Sequence, residues 1–185
     1  GNTSIVAKVK GIKIFARIFV TKKYVQDSGH EYTRGEWVKL LLDKVGCKYE
    51  EQFDSKNYYY ADTRENENGI AAEIAKTMGI IPDETDEQDV PYFYPDEYAT
   101  REFAAYTAVM LMGYETTDEE PTCADAAQIR YKNVVAIALK KNMLSLNGDT
   151  FEPEKAINGN DAAQILKAID QITEDSVIDE NYDSK

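Results

Sequence analysis

The sequence predicts an all-α chain of three tandem helix–loop–helix units, and three observations carry that expectation. A helix-capping residue ahead of an apolar helical stripe recurs at Thr33, Thr100 and Asn158. A glycine stands thirteen residues after each of the first two caps, at Gly46 and Gly113, where a helix stop in the left-handed conformation belongs. The phrase Phe-x-Pro stands five residues before the second and third caps, as Phe93-Tyr94-Pro95 and Phe151-Glu152-Pro153.

The first unit covers residues 1–50. Its leading segment, Ile5 to Phe19, places Ile5, Val9, Ile12, Ala16 and Phe19 on one helical face, so a helix is expected there. Gly11 and the local alternation Val9-Lys10-Gly11-Ile12-Lys13-Ile14 leave a strand open. The second helix of the unit starts at Thr33-Arg34-Gly35-Glu36, a capping box in which threonine and glutamate each satisfy a free backbone N–H. Its stripe is Trp37, Leu40, Leu41 and Val45, with Trp37 expected in the core.

The second unit, residues 51–113, opens with a helix over 70–81. Its loop then leads to a capped helix at Thr100-Arg101-Glu102-Phe103, striped by Phe103, Tyr106, Val109 and Met110. The third unit, residues 114–173, repeats the plan with a helix over 133–144. A capped helix follows from Asn158, striped by Ala162, Ile165, Leu166 and Ile169. Asp161 stands where a capping box has its acid, but aspartate reaches back less well than glutamate, so this box is expected to be the weaker. An aromatic residue before proline predicts a rigid, extended loop into each helix. Residues 174–185 are acidic without a periodic apolar face and read as a frayed tail.

Composition narrows the function. The 185 residues are 43% hydrophobic and 30% charged, ordinary values for a folded chain, and no apolar run reaches the ~20 residues that span a bilayer. No signal peptide falls in this numbering. Net charge is −13, divided as +6 over residues 1–48 and −19 over 49–185. An acidic body argues against nucleic-acid binding, which needs clustered lysine and arginine. The basic first quarter suits either an anionic partner or pairing with acidic surface of the same fold.

Cys47 and Cys123 make neither a disulfide framework nor a CxxC metal motif. His30 lies in a polar loop without a nucleophile beside it in sequence, and no phosphate loop or G-x-S-x-G occurs. No enzyme activity, cofactor or metal is therefore expected. The acid runs at 83–87 and 118–120 lack the order of an EF-hand loop and read as solvated. Residues 150–161 loosely match a dockerin-like calcium loop, but Pro153 and Lys155 count against it. The aromatic runs Tyr58-Tyr59-Tyr60 and Tyr92-Phe93-Tyr94 suit sugar stacking and core plugging equally.

The order of these motifs resembles the S-layer homology domain of bacterial surface proteins. Residues 151–169 follow its spacing without a gap. Tyr60-Ala61-Asp62 and Cys123-Ala124-Asp125-Ala126 stand at its opening, and Thr33-Arg34-Gly35-Glu36 matches its Thr-Arg-Ala-Glu helix start. The resemblance covers almost the whole chain as three degenerate repeats forming one compact domain. It implies a pseudo-threefold arrangement around a central three-helix bundle, with ligand grooves between adjacent repeats. It implies an extracellular, wall-bound setting and non-covalent anchoring to acidic, often pyruvylated, secondary cell-wall polysaccharide. Arg34 would be the principal anion contact and Arg101 the secondary one, beside Thr33 and Thr100. The helix start at Arg34 is expected to add free N–H donors for a carboxylate. The second unit brings Glu102 one position early, which leaves the alignment of Arg101 open, and the third has no arginine. That loss favours the alternative, a degenerate copy of the fold used for protein–protein contact.

Overall fold

The structure, a computed structural model, describes residues 4–9, 12–17, 28–49, 53–54, 57–82, 84–85 and 89–182. The first segment corrects the sequence reading. Residues Ser4–Val9 (β1) and Ile12–Arg17 (β2) form an antiparallel pair, with Ile5 opposite Ala16 and Val9 opposite Ile12. Among the described residues between Ile5 and Arg17 none is helical. The apolar positions fit periods of 3.6 and 2 alike, and β-branched side chains with a glycine midway favour the strand. Phe19, the last residue of the expected helix, lies outside the described residues.

From residue 28 onward the described chain is helical. Five α-helices are bounded among the described residues: α1 Arg34–Lys44, α2 Gly69–Met78, α3 Arg101–Leu111, α4 Lys132–Lys140 and α5 Gly159–Tyr182. A 3₁₀ turn, Ala126–Gln128, precedes α4. Helix α1 packs on α2 and on α3, and α3 packs on α4. The acidic end expected to fray instead continues α5 as far as Tyr182.

The predicted caps hold. Thr33 closes a full box: its hydroxyl accepts from Glu36 N–H at 3.2 Å, and the Glu36 carboxylate accepts from Thr33 N–H at 2.9 Å. Thr100 accepts from Phe103 N–H at 3.1 Å. Asn158 accepts from Asn160 and Asp161 N–H at 2.8 and 3.2 Å, while Asp161 reaches back only to 3.4 Å, the weak return expected of the shorter acid. Gly46 and Gly113 stop their helices at φ 67° and 68°, a region that costs a residue with a Cβ about 1 kcal/mol or more.

The three residues immediately before these caps tie the chain into a ring. Tyr32 N–H donates to Ile157 O at 3.2 Å, Ile157 N–H to Ala99 O at 2.9 Å, and Ala99 N–H to Tyr32 O at 2.9 Å. All three residues are buried, so each bond satisfies groups that water does not reach.

The first two capped helices are also roofed by the next unit's loop. Arg34 and Gly35 N–H donate to Glu97 O and Pro95 O, at 2.8 and 2.9 Å. Arg101 and Glu102 N–H donate to Lys155 O and Pro153 O, at 2.8 and 3.0 Å. Arg101 therefore occupies the same first helical position as Arg34.

The Phe-x-Pro loops owe their shape to two aspartates, Asp62, partly exposed, and Asp125, buried. Asp62 accepts from Phe93 and Tyr94 N–H (3.0 and 2.7 Å), and Asp125 from Phe151 and Glu152 N–H (2.8 and 2.7 Å). Two adjacent donors converging on one carboxylate turn the middle residue left-handed, with Tyr94 at φ 56° and Glu152 at φ 57°. The loops are thus not extended as expected of a residue before proline; the charged hydrogen bonds outweigh that preference. Their Phe93 and Phe151 rings are fully buried plugs, each worth roughly 1.5–3 kcal/mol of burial. Trp37 is fully buried as well, and its indole N–H donates to Thr107 Oγ1 at 2.8 Å, joining α1 to α3.

Candidate functional site

Arg34 enters the start of α1 through the Thr33 cap, and its side chain lies beneath the loop of the second unit. The guanidinium carbon sits 5.2 Å from the Phe93 ring centroid and 4.2 Å from that of Phe103, a geometry in which cation–π attraction holds the fork in place. Nη2 donates to Glu84 Oε2 at 2.8 Å, and Nε is buried with no hydrogen-bond partner.

The fork borders a groove of about 280 Å3 that also receives Tyr98, Thr100, Arg130 and Tyr131. Tyr98 is 59% exposed on the rim, a free aromatic face beside two guanidinium groups. Tyr131 is wedged against Tyr106 at 4.7 Å between centroids, and Arg130 lies over the Tyr131 ring at 5.0 Å. Four carboxylates share the groove, from Glu84, Glu97, Glu102 and Glu154. Burial pushes the Glu102 carboxyl above its ordinary range, partly offset by the N–H groups of Tyr131, at 2.6 Å, and Arg130.

Arg101 repeats the placement of Arg34 with a different outcome. Its guanidinium lies 5.1 Å from the Phe151 centroid. Nε donates to Phe151 O at 2.8 Å, Nη2 to Ser145 O at 2.6 Å, and Nη1 to the Asp161 carboxylate. Every nitrogen of this fork is therefore spent on the chain itself.

Of the four residues singled out in the sequence, Thr33 and Thr100 act as helix caps, and Thr100 also borders the groove. The free N–H donors expected at the start of α1 are not free. Those of Arg34 and Gly35 go to the roofing loop, and that of Glu36 to the cap. Gly35 is required there, because an added Cβ would stand 2.9 Å from Asn68 Cβ and 3.1 Å from Pro95 O. The groove residues that sequence reasoning missed are Glu84, hidden in an acid run that read as solvated, and Tyr98, Arg130 and Tyr131, which belong to no motif.

The remaining candidates are structural or solvent-facing. Tyr60 and Phe93 are buried plugs, Tyr59 is 49% exposed with Lys76 Nζ 4.7 Å from its ring centre, and Tyr92 stacks on Tyr94 at 5.5 Å. His30 stands edge-on to Tyr32, with Nε2 3.5 Å from Glu36. Both cysteines are free, and burial pushes the Cys47 thiol up to about 11, so it stays protonated at neutral pH. In the calcium-loop rival, the Glu152 carboxylate is instead occupied by Lys155 at 2.8 Å. Among the described residues no group of three or more His, Cys, Asp and Glu side chains is placed to hold a metal, and no helix is long and apolar enough to cross a membrane. No protein-family model matches the chain, and no curated protein matches it in sequence.

Proposed function

We propose that this chain is a non-catalytic anchoring module that holds an acidic saccharide of a bacterial cell wall in the groove at Arg34, and so works outside the cell. The single observation that carries this reading is a fixed, buried guanidinium with an unmet Nε–H, facing a groove rimmed by an exposed tyrosine. Aromatic faces for sugar rings and a planar fork for a carboxylate are the chemistry such a ligand needs. The pseudo-threefold arrangement around a central helical bundle belongs to the same reading. It is supported by the closed ring of hydrogen bonds before the three caps and by the matched Asp62 and Asp125 loops. These features accord with the resemblance to S-layer homology repeats.

The direct test is capture by purified cell walls before and after extraction of the secondary polymer. Capture should be lost with the polymer. Arg34→Ala should weaken it roughly ten- to a hundredfold, the loss of one charged hydrogen-bonding partner. Equal binding of isolated polymer to wild type and variant would remove Arg34 from the site.

The four groove carboxylates favour one rival, a basic protein segment docked in the same place. Salt separates the two. An anionic polymer is repelled at long range by this surface, so screening should leave its affinity unchanged or raise it. A basic segment should bind more weakly as salt increases.

A further inference from the structure

The two arginines at equivalent helix starts each have a carboxylate of this chain in the place where a ligand's carboxylate would sit, but the two carboxylates are held very differently. Asp161 is locked: its side chain is 13% exposed, it answers a guanidinium that is 7% exposed, and it also accepts from the N–H of the Asn158 cap. Glu84 is loosely held: its side chain is 27% exposed, and it meets only Nη2 of Arg34. A carboxylate approaching an arginine side-on takes the Nε–H and one Nη–H together, and Glu84 takes half of that fork. The other half is the buried Nε without a partner, an unmet donor that is costly to keep dry. The Phe93 and Phe103 rings hold the guanidinium in place whether or not Glu84 is there. Glu84 holds the buried fork by one prong only, and a carboxylate that replaces it leaves the guanidinium paired, so the exchange does not strand a buried charge.

We propose that Glu84 is a displaceable internal ligand of the Arg34 groove. An incoming carboxylate exchanges with it and takes both Nε–H and Nη2–H, while Asp161 holds the corresponding place at Arg101 permanently shut. The chain therefore has one open carboxylate seat and one closed one. This rests on the groove being a binding site for an acidic ligand, and it adds what the ligand must displace and how many ligands bind.

Acetate is the probe that tests the gate apart from the polysaccharide. It would be titrated against chloride at constant ionic strength, and read by the Nε–H resonances of arginine, with Arg34 assigned by its loss in Arg34→Lys. The expected result is that acetate shifts the Arg34 signal and leaves that of Arg101 in place. The apparent Kd should fall roughly tenfold in Glu84→Gln and again in Glu84→Ala. Equal affinity in wild type and both Glu84 variants, or a shift of Arg101 in wild type, overturns the proposal. Isolated wall polymer is then titrated in parallel. If acetate shows the gate and the polymer binds no variant, the gate stands and the wall-anchor reading falls. If the polymer binds and neither Glu84 variant alters its affinity, the reading stands and the gate falls.

Discussion

The junction between the first and second units and that between the second and third are built from the same parts. In each, an arginine at the first turn of a capped helix lies under a Phe-x-Pro loop pinned by an aspartate. The residue at the third position of the neighbouring helix makes the difference. At the first junction it is Phe103, whose ring stacks on Arg34 and leaves the polar edge of the fork to Glu84, which takes Nη2 and leaves Nε unpartnered. At the second it is Asp161, which pairs with Arg101 and closes it. One change from ring to carboxylate separates an arginine whose Nε is left unpartnered from one whose every nitrogen is bonded within the chain.

The largest effect should come from breaking the closed junction. Arg101→Ala leaves Asp161 without its partner and strips two carbonyls of a donor, at a cost of roughly 3–5 kcal/mol. Arg34→Ala, whose ion pair is partly solvated, should cost clearly less. Urea denaturation of the two variants checks the order, and equal losses would mean that the junctions do not differ in kind.

Next in size is the aspartate pin. Asp125→Ala abandons two adjacent N–H groups and should cost about 3 kcal/mol. Burial alone works to raise the Asp125 carboxyl, but the N–H groups of Phe151 and Glu152 and the Cys123 side chain hold it below its ordinary range. The ionised form is thus the one the fold prefers. Its contribution is present above the unfolded-state value and is lost as pH falls through the lower folded one. The gap between wild type and Asp125→Ala should therefore close in acid, which equilibrium unfolding at stepped pH would show.

The caps give a smaller contrast. Thr33→Ala should cost about 1 kcal/mol, and more than Thr100→Ala, because only Thr33 takes part in a reciprocal box. Thermal unfolding of the two variants in one buffer is sufficient to rank them.

The smallest effect has the opposite sign. Glu102 has its carboxyl raised by burial, so its folded form favours the proton. That contribution is full below the unfolded-state value and is lost as pH rises through the higher folded one. Glu102→Gln keeps an acceptor for Tyr131 N–H and should gain a few tenths of a kcal/mol (~0.5 at most) at pH 7 and nothing at pH 4. A loss at pH 7 would show that the charge itself is needed there.

What the sequence determined by itself was local. Thr33, Thr100 and Asn158 start helices, and Gly46 and Gly113 end them, because a cap needs only its own next three residues and a stop only its own φ. The Phe-x-Pro phrases were equally legible as recurring spacing, whereas Asp62 and Asp125 were marked only by the family resemblance. The segment from Ile5 was not, since its pattern fits both periods and the choice between helix and strand rests on pairing. Tertiary structure alone decided the fate of the two arginines. Both stand at the same place in the same motif, yet Arg34 meets Glu84 fifty residues away and Arg101 meets Asp161 sixty residues away. It also decided that the N–H groups at the helix starts belong to loops of the following unit. A buried guanidinium takes its properties from whichever partner packing brings to it, and that information lies in the neighbouring repeat.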